Sequence, residues 1–303
     1  MLSSRLHRRH NNMSKGIIIV GNGFDVGHGL PSRYSNFKEW LLKNDIPLFE
    51  FLERYIDISG DWWNDFERNL CEIDVPKLIR ETPLDNQPRD TRFPPSFSHP
   101  ARWRLDEIRD RLSHRFTEWI SLLDNNPVSK KIELPKADFY ISFNYTDTLE
   151  RVYGVSEDRI LYIHGKASRG DELIYGHGKN QYQLERDIQQ KYGLYESDDF
   201  FKPGSYGDSE SELTMGISYM EKEPYNQLVK YREKLVQTVS YAETIYVYGL
   251  SFSEVDFPYI EWIVLENSNL RWKVSWHSEN DKRSVTSCFE ELGVKEYELF
   301  YLE

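Results

Sequence analysis

Apolar residues along this chain fall into short unbroken runs, separated by stretches in which they recur at helical spacing. Residues 16–20, 138–143, 159–164, 244–248, 271–276 and 296–301 form runs that predict strands, and 172–175 is a seventh candidate. Continuous rather than alternating apolarity is the mark of strands covered on both faces. Helical spacing appears over 35–43 (Phe37, Trp40, Leu41), 47–55 (Leu48, Phe49, Leu52, Tyr55), 62–71, 102–123, 181–192, 219–241, 255–265 and 282–292. Strands alternating with helices predict an α/β fold, a Rossmann-like, mostly parallel sheet with helices on both faces. The stretch 33–124 is too long for a simple crossover and predicts a helical insertion, a cap, after the first strand. Five prolines in 82–100 predict a long loop or lid. The acidic, glycine-bearing stretch 193–217 has little pattern and predicts a mobile insertion. The whole reads as one domain over 15–303 behind a flexible leader, 1–14. The basic, polar residues 1–12 form no secretory signal, and either Met1 or Met13 serves as the start.

Four strands end in small or polar residues: Gly21, Asn144, His164 and Gly249. In open α/β sheets ligands bind beyond the carboxyl ends of the strands, so the four ends predict one pocket. Gly21-Asn22-Gly23-Phe24-Asp25-Val26-Gly27-His28-Gly29 is a strand-to-helix turn. Glycine there lets backbone amides approach a pyrophosphate, and the helix start favours its charge. The third glycine comes one residue later than in the usual dinucleotide-binding spacing, and a tight turn without ligand is the alternative. Asp25 fits a helix cap or a ribose contact equally well, and His28 either lines the site or sits on the surface. The Asn144 amide both donates and accepts, which suits a sugar hydroxyl or a water. Asn144 also fits a plain cap between strand and helix, with Asp147 a turn beyond. His164, followed by Gly165, has room for substrate and an imidazole that ordinarily titrates near neutrality, although a lone histidine is more often structural. His177, in Tyr175-Gly176-His177-Gly178, repeats the theme, but no carboxylate spacing completes a metal site. Ser251, after Gly249-Leu250, could bond a ribose or phosphate. It is followed by Phe252-Ser253 and so is not a nucleophile elbow.

Composition narrows the field. The 303 residues carry a formal charge of -12, which repels phosphate backbones at long range and makes nucleic acid an unlikely partner. The arginines of 102–115 are interleaved with acids and predict a salt-bridged face. Two cysteines, Cys71 and Cys288, exclude both a disulfide framework and a four-cysteine zinc module, and suit the cytoplasm. No run of 18 apolar residues predicts a membrane span.

Together these blocks resemble the AbiH family of bacterial anti-phage abortive infection proteins. The resemblance is carried by Gly21-Asn22-Gly23-Phe24-Asp25 with His28-Gly29-Leu30, Tyr34 and Phe37, by Trp63-Asn64-Asp65-Phe66-Glu67, by Phe143-Asn144-Tyr145-Thr146, by Ile163-His164-Gly165, and by Gly249-Leu250-Ser251-Phe252 with Val255-Asp256 and Pro258-Tyr259. It implies a sirtuin-like fold with NAD, as substrate or ligand, at the first glycine turn. It also implies that Asn144 and His164 break the nicotinamide bond, with no metal. Trp63 and Phe66 read as helix packing, with Asp65 and Glu67 solvated. The leading expectation is an NAD glycohydrolase that depletes NAD during infection. Its partners would be an NAD-type nucleotide and either further copies of the chain or a defence-system protein. The alternatives are a module that senses NAD or ADP-ribose without hydrolysis, and a nuclease-type toxin.

Overall fold

The computed structural model describes residues 16–82, 100–192 and 206–302. Within them the chain divides into two compact units, one of 16–32, 120–173 and 223–302, the other of 33–119 and 174–222.

The first unit is built on six strands: β1 (Gly16–Val20), β2 (Phe139–Ser142), β3 (Ile160–Tyr162), β4 (Thr244–Tyr248), β5 (Arg271–Trp276) and β6 (Tyr297–Tyr301). All neighbours run parallel, in the order β3-β2-β1-β4-β5-β6. This is the strand order of doubly wound dinucleotide-binding sheets, and its direction reverses between β1 and β4. Every residue of β1 is buried. Side chains alternate across a strand, so Ile17 and Ile19 pack in the core of one face. Leu235, Ile260 and Phe289 join them there from the helices Pro224–Val239, Phe257–Glu266 and Glu279–Glu291. Ile18 and Val20 face the other core with Phe24, Leu149 and Tyr248. Helices therefore cover both faces, and the unbroken apolarity of β1 has its cause. The helix Glu279–Glu291 opens on a reciprocal cap, the Ser278 side chain accepting from the Asp281 amide and Asp281 from that of Ser278.

The second unit is helical. Its helices are Tyr34–Asn44, Ile46–Tyr55, Val75–Glu81, most of Pro100–Leu123, Gln181–Tyr192 and Tyr206–Ser218. Phe37, Trp63, Phe66, Phe116 and Trp119 form an aromatic centre, with Trp63 and Phe66 stacked at 5.4 Å and Phe37 edge-on to Phe66 at 5.6 Å. Asp45 caps the helix Ile46–Tyr55 through the Leu48 amide and also receives Arg111 at 2.6 Å and Arg115 at 2.9 Å. Further ion pairs along Pro100–Leu123, Arg102 and Arg109 with Asp106 and Arg115 with Glu118, make the salt-bridged face that the charge pattern predicts.

Several expectations shift. Residues 172–175 form no strand; the Glu172 backbone instead passes close to the turn at Gly165. Of the stretch expected to lack structure, 206–218 is a helix whose Leu213, Thr214 and Ile217 are buried; the rest of it, 193–205, lies outside the described residues. The helix expected over 219–241 starts at Pro224, whose fixed φ suits a first helical turn. The leader and 83–99 of the proline-rich loop also lie outside the described residues. Among the described residues no helix is long and apolar enough to cross a membrane.

Ile18 is fully buried in the central strand. Ile18→Ala should cost about 2–5 kcal/mol, read as a lowered urea midpoint. A loss below about 1 kcal/mol would contradict the packing described.

Candidate functional site

The turns that follow β1 and β4 close on each other through backbone. Gly21 donates its N–H to the Tyr248 carbonyl at 2.9 Å, and Gly23 donates to the Gly249 carbonyl at 2.8 Å. A Cβ on Gly21 would lie 2.7 Å from the Gly249 carbonyl oxygen, and one on Gly23 would lie 2.7 Å from the Gly249 Cα. Gly249 has a left-handed φ of 64°, and a Cβ there would overlap the Phe24 nitrogen and the Gly23 carbonyl carbon. Its N–H is received by the Ser275 hydroxyl of β5. Close approach and positive φ together demand glycine. The two amides expected to seat a pyrophosphate are committed to carbonyls, and the turn's effect is to set the position of Asp25.

Asp25 is 1% exposed. It lies within the short helix Asn22–Gly27, whose start has no side-chain cap, so of its two candidate roles capping is set aside. Its Oδ2 accepts from the Thr146 hydroxyl at 2.5 Å. Burial raises its carboxyl from 3.8 to about 6, against the hydroxyls of Thr146 and Thr148, the nearby Asn144 amide and the charge of Arg151. Asn144 is 5% exposed, and its backbone N–H and carbonyl both meet the Ser142 hydroxyl at 3.2 Å. Asp25 Oδ1 and Asn144 Nδ2 are buried without a hydrogen-bond partner. Thr146 was visible in the sequence only as part of a motif, and Thr148 not at all, because a hydroxyl in such a loop has no distinguishing pattern.

His164 stands beside Asn144 by register. Ser142 pairs with Tyr162 and Ile163 donates to the Ser142 carbonyl, so Asn144 and His164 each follow the last paired residue of neighbouring strands by two positions. The imidazole is 1% exposed. Its ring is edge-on to Phe143 at 5.3 Å and to Tyr259 at 5.5 Å, with Nδ1 3.4 Å from the Phe143 carbonyl oxygen. Gly165 follows with a φ of 86°, and a Cβ there would lie 2.6 Å from the Glu172 carbonyl oxygen. Lys166 then anchors the turn, its N–H on Asp171 and its ammonium on Glu150 at 2.9 Å.

The other candidates separate from this cluster. His28 is buried with Nδ1 2.7 Å from the Phe24 carbonyl oxygen and Nε2 2.7 Å from the Tyr153 hydroxyl. Phe24 is core. Asn22 is exposed, its amide on the Ser32 carbonyl, and Ser251 is exposed. His177 belongs to the second unit. His177 has Nε2 3.0 Å from the Ile217 carbonyl oxygen, while Nδ1 accepts from the Lys179 amide. Asp65 is exposed as expected. Glu67 is not solvated: it takes the Tyr34 hydroxyl at 2.6 Å and the buried Lys222 ammonium at 2.9 Å.

A sequence model of the family described as Bacteriophage abortive infection AbiH matches residues 17–276. No curated protein matches the chain.

Two tests follow from this geometry. Gly249 and Gly293 have nearly equal φ, 64° and 68°, but a Cβ at Gly293 meets open space. Gly293→Ala should cost about 1–2 kcal/mol of left-handed strain. Gly249→Ala should add overlap to the same strain and cost at least about 3 kcal/mol, so comparable urea midpoints would refute the backbone lock. The second test concerns Asp25. Its folded value lies above the unfolded one, so the folded state holds the proton more tightly. Stability is full below about pH 4 and falls as pH rises to about 6. Above that, the buried charge costs about 3 kcal/mol. Asp25→Asn should therefore stabilise the protein at pH 8, with the gain fading at pH 4, both followed by urea unfolding. A variant that loses stability at pH 8 contradicts this account.

Proposed function

The chain belongs to the AbiH family of bacteriophage abortive infection proteins, and we propose that within that role it hydrolyses NAD to nicotinamide and ADP-ribose. The observation that carries the reading is the Asn144 side chain, buried with an unpartnered Nδ2, which like His164 lies two positions beyond the last paired residue of its strand, the two strands being adjacent and parallel. A buried donor left unmade is costly unless something fills it, and strand ends are where such sheets take nucleotides.

The chemistry asked of these groups is modest. The scissile bond joins nicotinamide to C1′ of a ribose, and its departure leaves positive charge on the sugar, as in glycoside hydrolysis. Nicotinamide leaves neutral and needs no strong acid. Water adds to C1′ and one proton is released. Asn144 holds the ribose or the attacking water by its amide, and His164 accepts the water's proton, an effect of about 10²- to 10⁴-fold. The flanking rings of Phe143, Tyr145 and Tyr259 hold the imidazole in place. Gly21, Gly23 and Gly249 enter as the backbone that fixes the site's edge, since the N–H groups of all three already have partners. No metal takes part in this scheme.

Purified protein incubated with NAD should release free nicotinamide, measured by chromatography, alone or with extract of phage-infected cells. Asn144→Ala and His164→Ala should each lower the rate about 10²-fold or more. Absence of nicotinamide under every condition, or full activity in both variants, overturns the reading. Calorimetric binding of NAD without product would instead mark a sensing module.

A further inference from the structure

We propose that Asp25 and Asn144 form a subsite for one ribose hydroxyl, making Asp25 a residue that selects ribonucleotides over their 2′-deoxy counterparts. The proposal rests on the NAD reading for the identity of the nucleotide. Its own basis is a complementary pair of unmade bonds. Asp25 Oδ1 is an acceptor without a donor, and Asn144 Nδ2 is a donor without an acceptor. Both side chains are more than nine-tenths buried, and the Asn144 amide is near enough to favour the Asp25 carboxylate. The second carboxylate oxygen already holds Thr146, so the open valences are one acceptor and one donor.

Few groups answer both. A hydroxyl donates once and accepts through its lone pairs, so it can give its proton to Oδ1 while receiving Nδ2–H. A phosphate only accepts, and its charge would face the carboxylate. A carbonyl donates nothing, and an ammonium accepts nothing. Neither partner is adrift: the Ser142 hydroxyl pins the Asn144 backbone, and the backbone contact of Gly23 with Gly249 fixes the turn that carries Asp25. Because Asn144 and His164 each follow the last paired residue of neighbouring strands by two positions, the hydroxyl assigned is the 2′-hydroxyl of the nicotinamide ribose, next to the carbon that reacts. A carboxylate drawing on that hydroxyl's proton supports positive charge at C1′, so its effect belongs in kcat as well as KM.

The test is a cycle of two substrates and three proteins. The kcat/KM for NAD and for its analogue with 2′-deoxyribose at the nicotinamide end are measured on the wild type, Asp25→Ala and Asp25→Asn. The wild type should prefer NAD by about 10- to 100-fold, the range of a hydrogen bond to a charged group. The preference should collapse towards one in Asp25→Ala and be intermediate in Asp25→Asn, which keeps an acceptor without the charge. A merely structural Asp25 would lower both substrates alike and leave the ratio unchanged, which overturns the proposal. Equal use of both substrates by the wild type overturns the subsite while the NAD reading stands. If the wild type hydrolyses neither, the NAD reading fails. The subsite is then decided by calorimetry of AMP against 2′-deoxy-AMP, where tighter binding of AMP supports it and equal or absent binding overturns it. Should Asp25→Ala not fold, the ratio in Asp25→Asn decides alone.

Discussion

Backbone contact between Gly23 and Gly249 is the constraint on which the rest of the first unit depends. In a doubly wound sheet the reversal of strand order opens a crevice between the two central strands. Here β1 and β4 flank that reversal, and their turns meet with no side chain between them. Two N–H groups of the β1 turn end on carbonyls at the end of β4, and Gly249 ends on Ser275 of β5. The ends of three strands are thereby tied together, β1 to β4 by backbone alone and β4 to β5 through the Ser275 hydroxyl. What stays chemically open beyond the sheet lies on the β1, β2 and β3 side, where Asp25, Asn144 and His164 stand.

That lock explains how a buried carboxylate is tolerated. Asp25 is held in a turn whose path is set by backbone geometry, so the chain has no easy way to swing the acid into water. The Thr146 hydroxyl and the nearby Asn144 and Thr148 favour its charged form, but burial outweighs them and leaves the carboxyl at about 6. The neighbouring turn after β3 is equally determined, by the left-handed Gly165 against Glu172 and by Lys166 on Glu150 and Asp171. Two rigid turns, after β1 and β3 on either side of β2, are the kind of fixed backbone that preorganised chemistry needs.

The strands were legible because burial on both faces writes itself as continuous apolarity, as in Ile17-Ile18-Ile19-Val20. The strand ends were legible because small and polar residues interrupt that apolarity at once, which singled out Gly21, Asn144, His164 and Gly249. Partnership between distant residues was not legible. The glycines read as a phosphate cradle because their need for open space is the same whether a ligand or another backbone fills it, and only the fold shows Gly249 doing so. His28 read as a pocket residue because its partners, the Phe24 carbonyl and the Tyr153 hydroxyl, have no local signature. Glu67 read as solvated for the same reason, its cation Lys222 being 155 positions away. The helix Tyr206–Ser218 was missed because its polar residues dominate the pattern although Leu213 and Ile217 are buried.

The energetics of Asp25 bear on why an acid stands there. An asparagine is nearly isosteric, could still accept from Thr146, and would carry no charge into the interior. The penalty of about 3 kcal/mol near neutral pH is a large fraction of the 5–15 kcal/mol by which domains of this kind are stable. Packing offers no compensation, since Oδ1 has no partner and the turn's path is fixed by Gly21, Gly23 and Gly249 rather than by the side chain. Buried groups that cost stability without serving the fold are characteristic of sites where charge is used on a ligand. The same cost that makes Asp25 a poor structural residue therefore makes it the most informative one on this edge of the sheet. On the proposed reading, the ligand it answers to should bring a proton donor of its own.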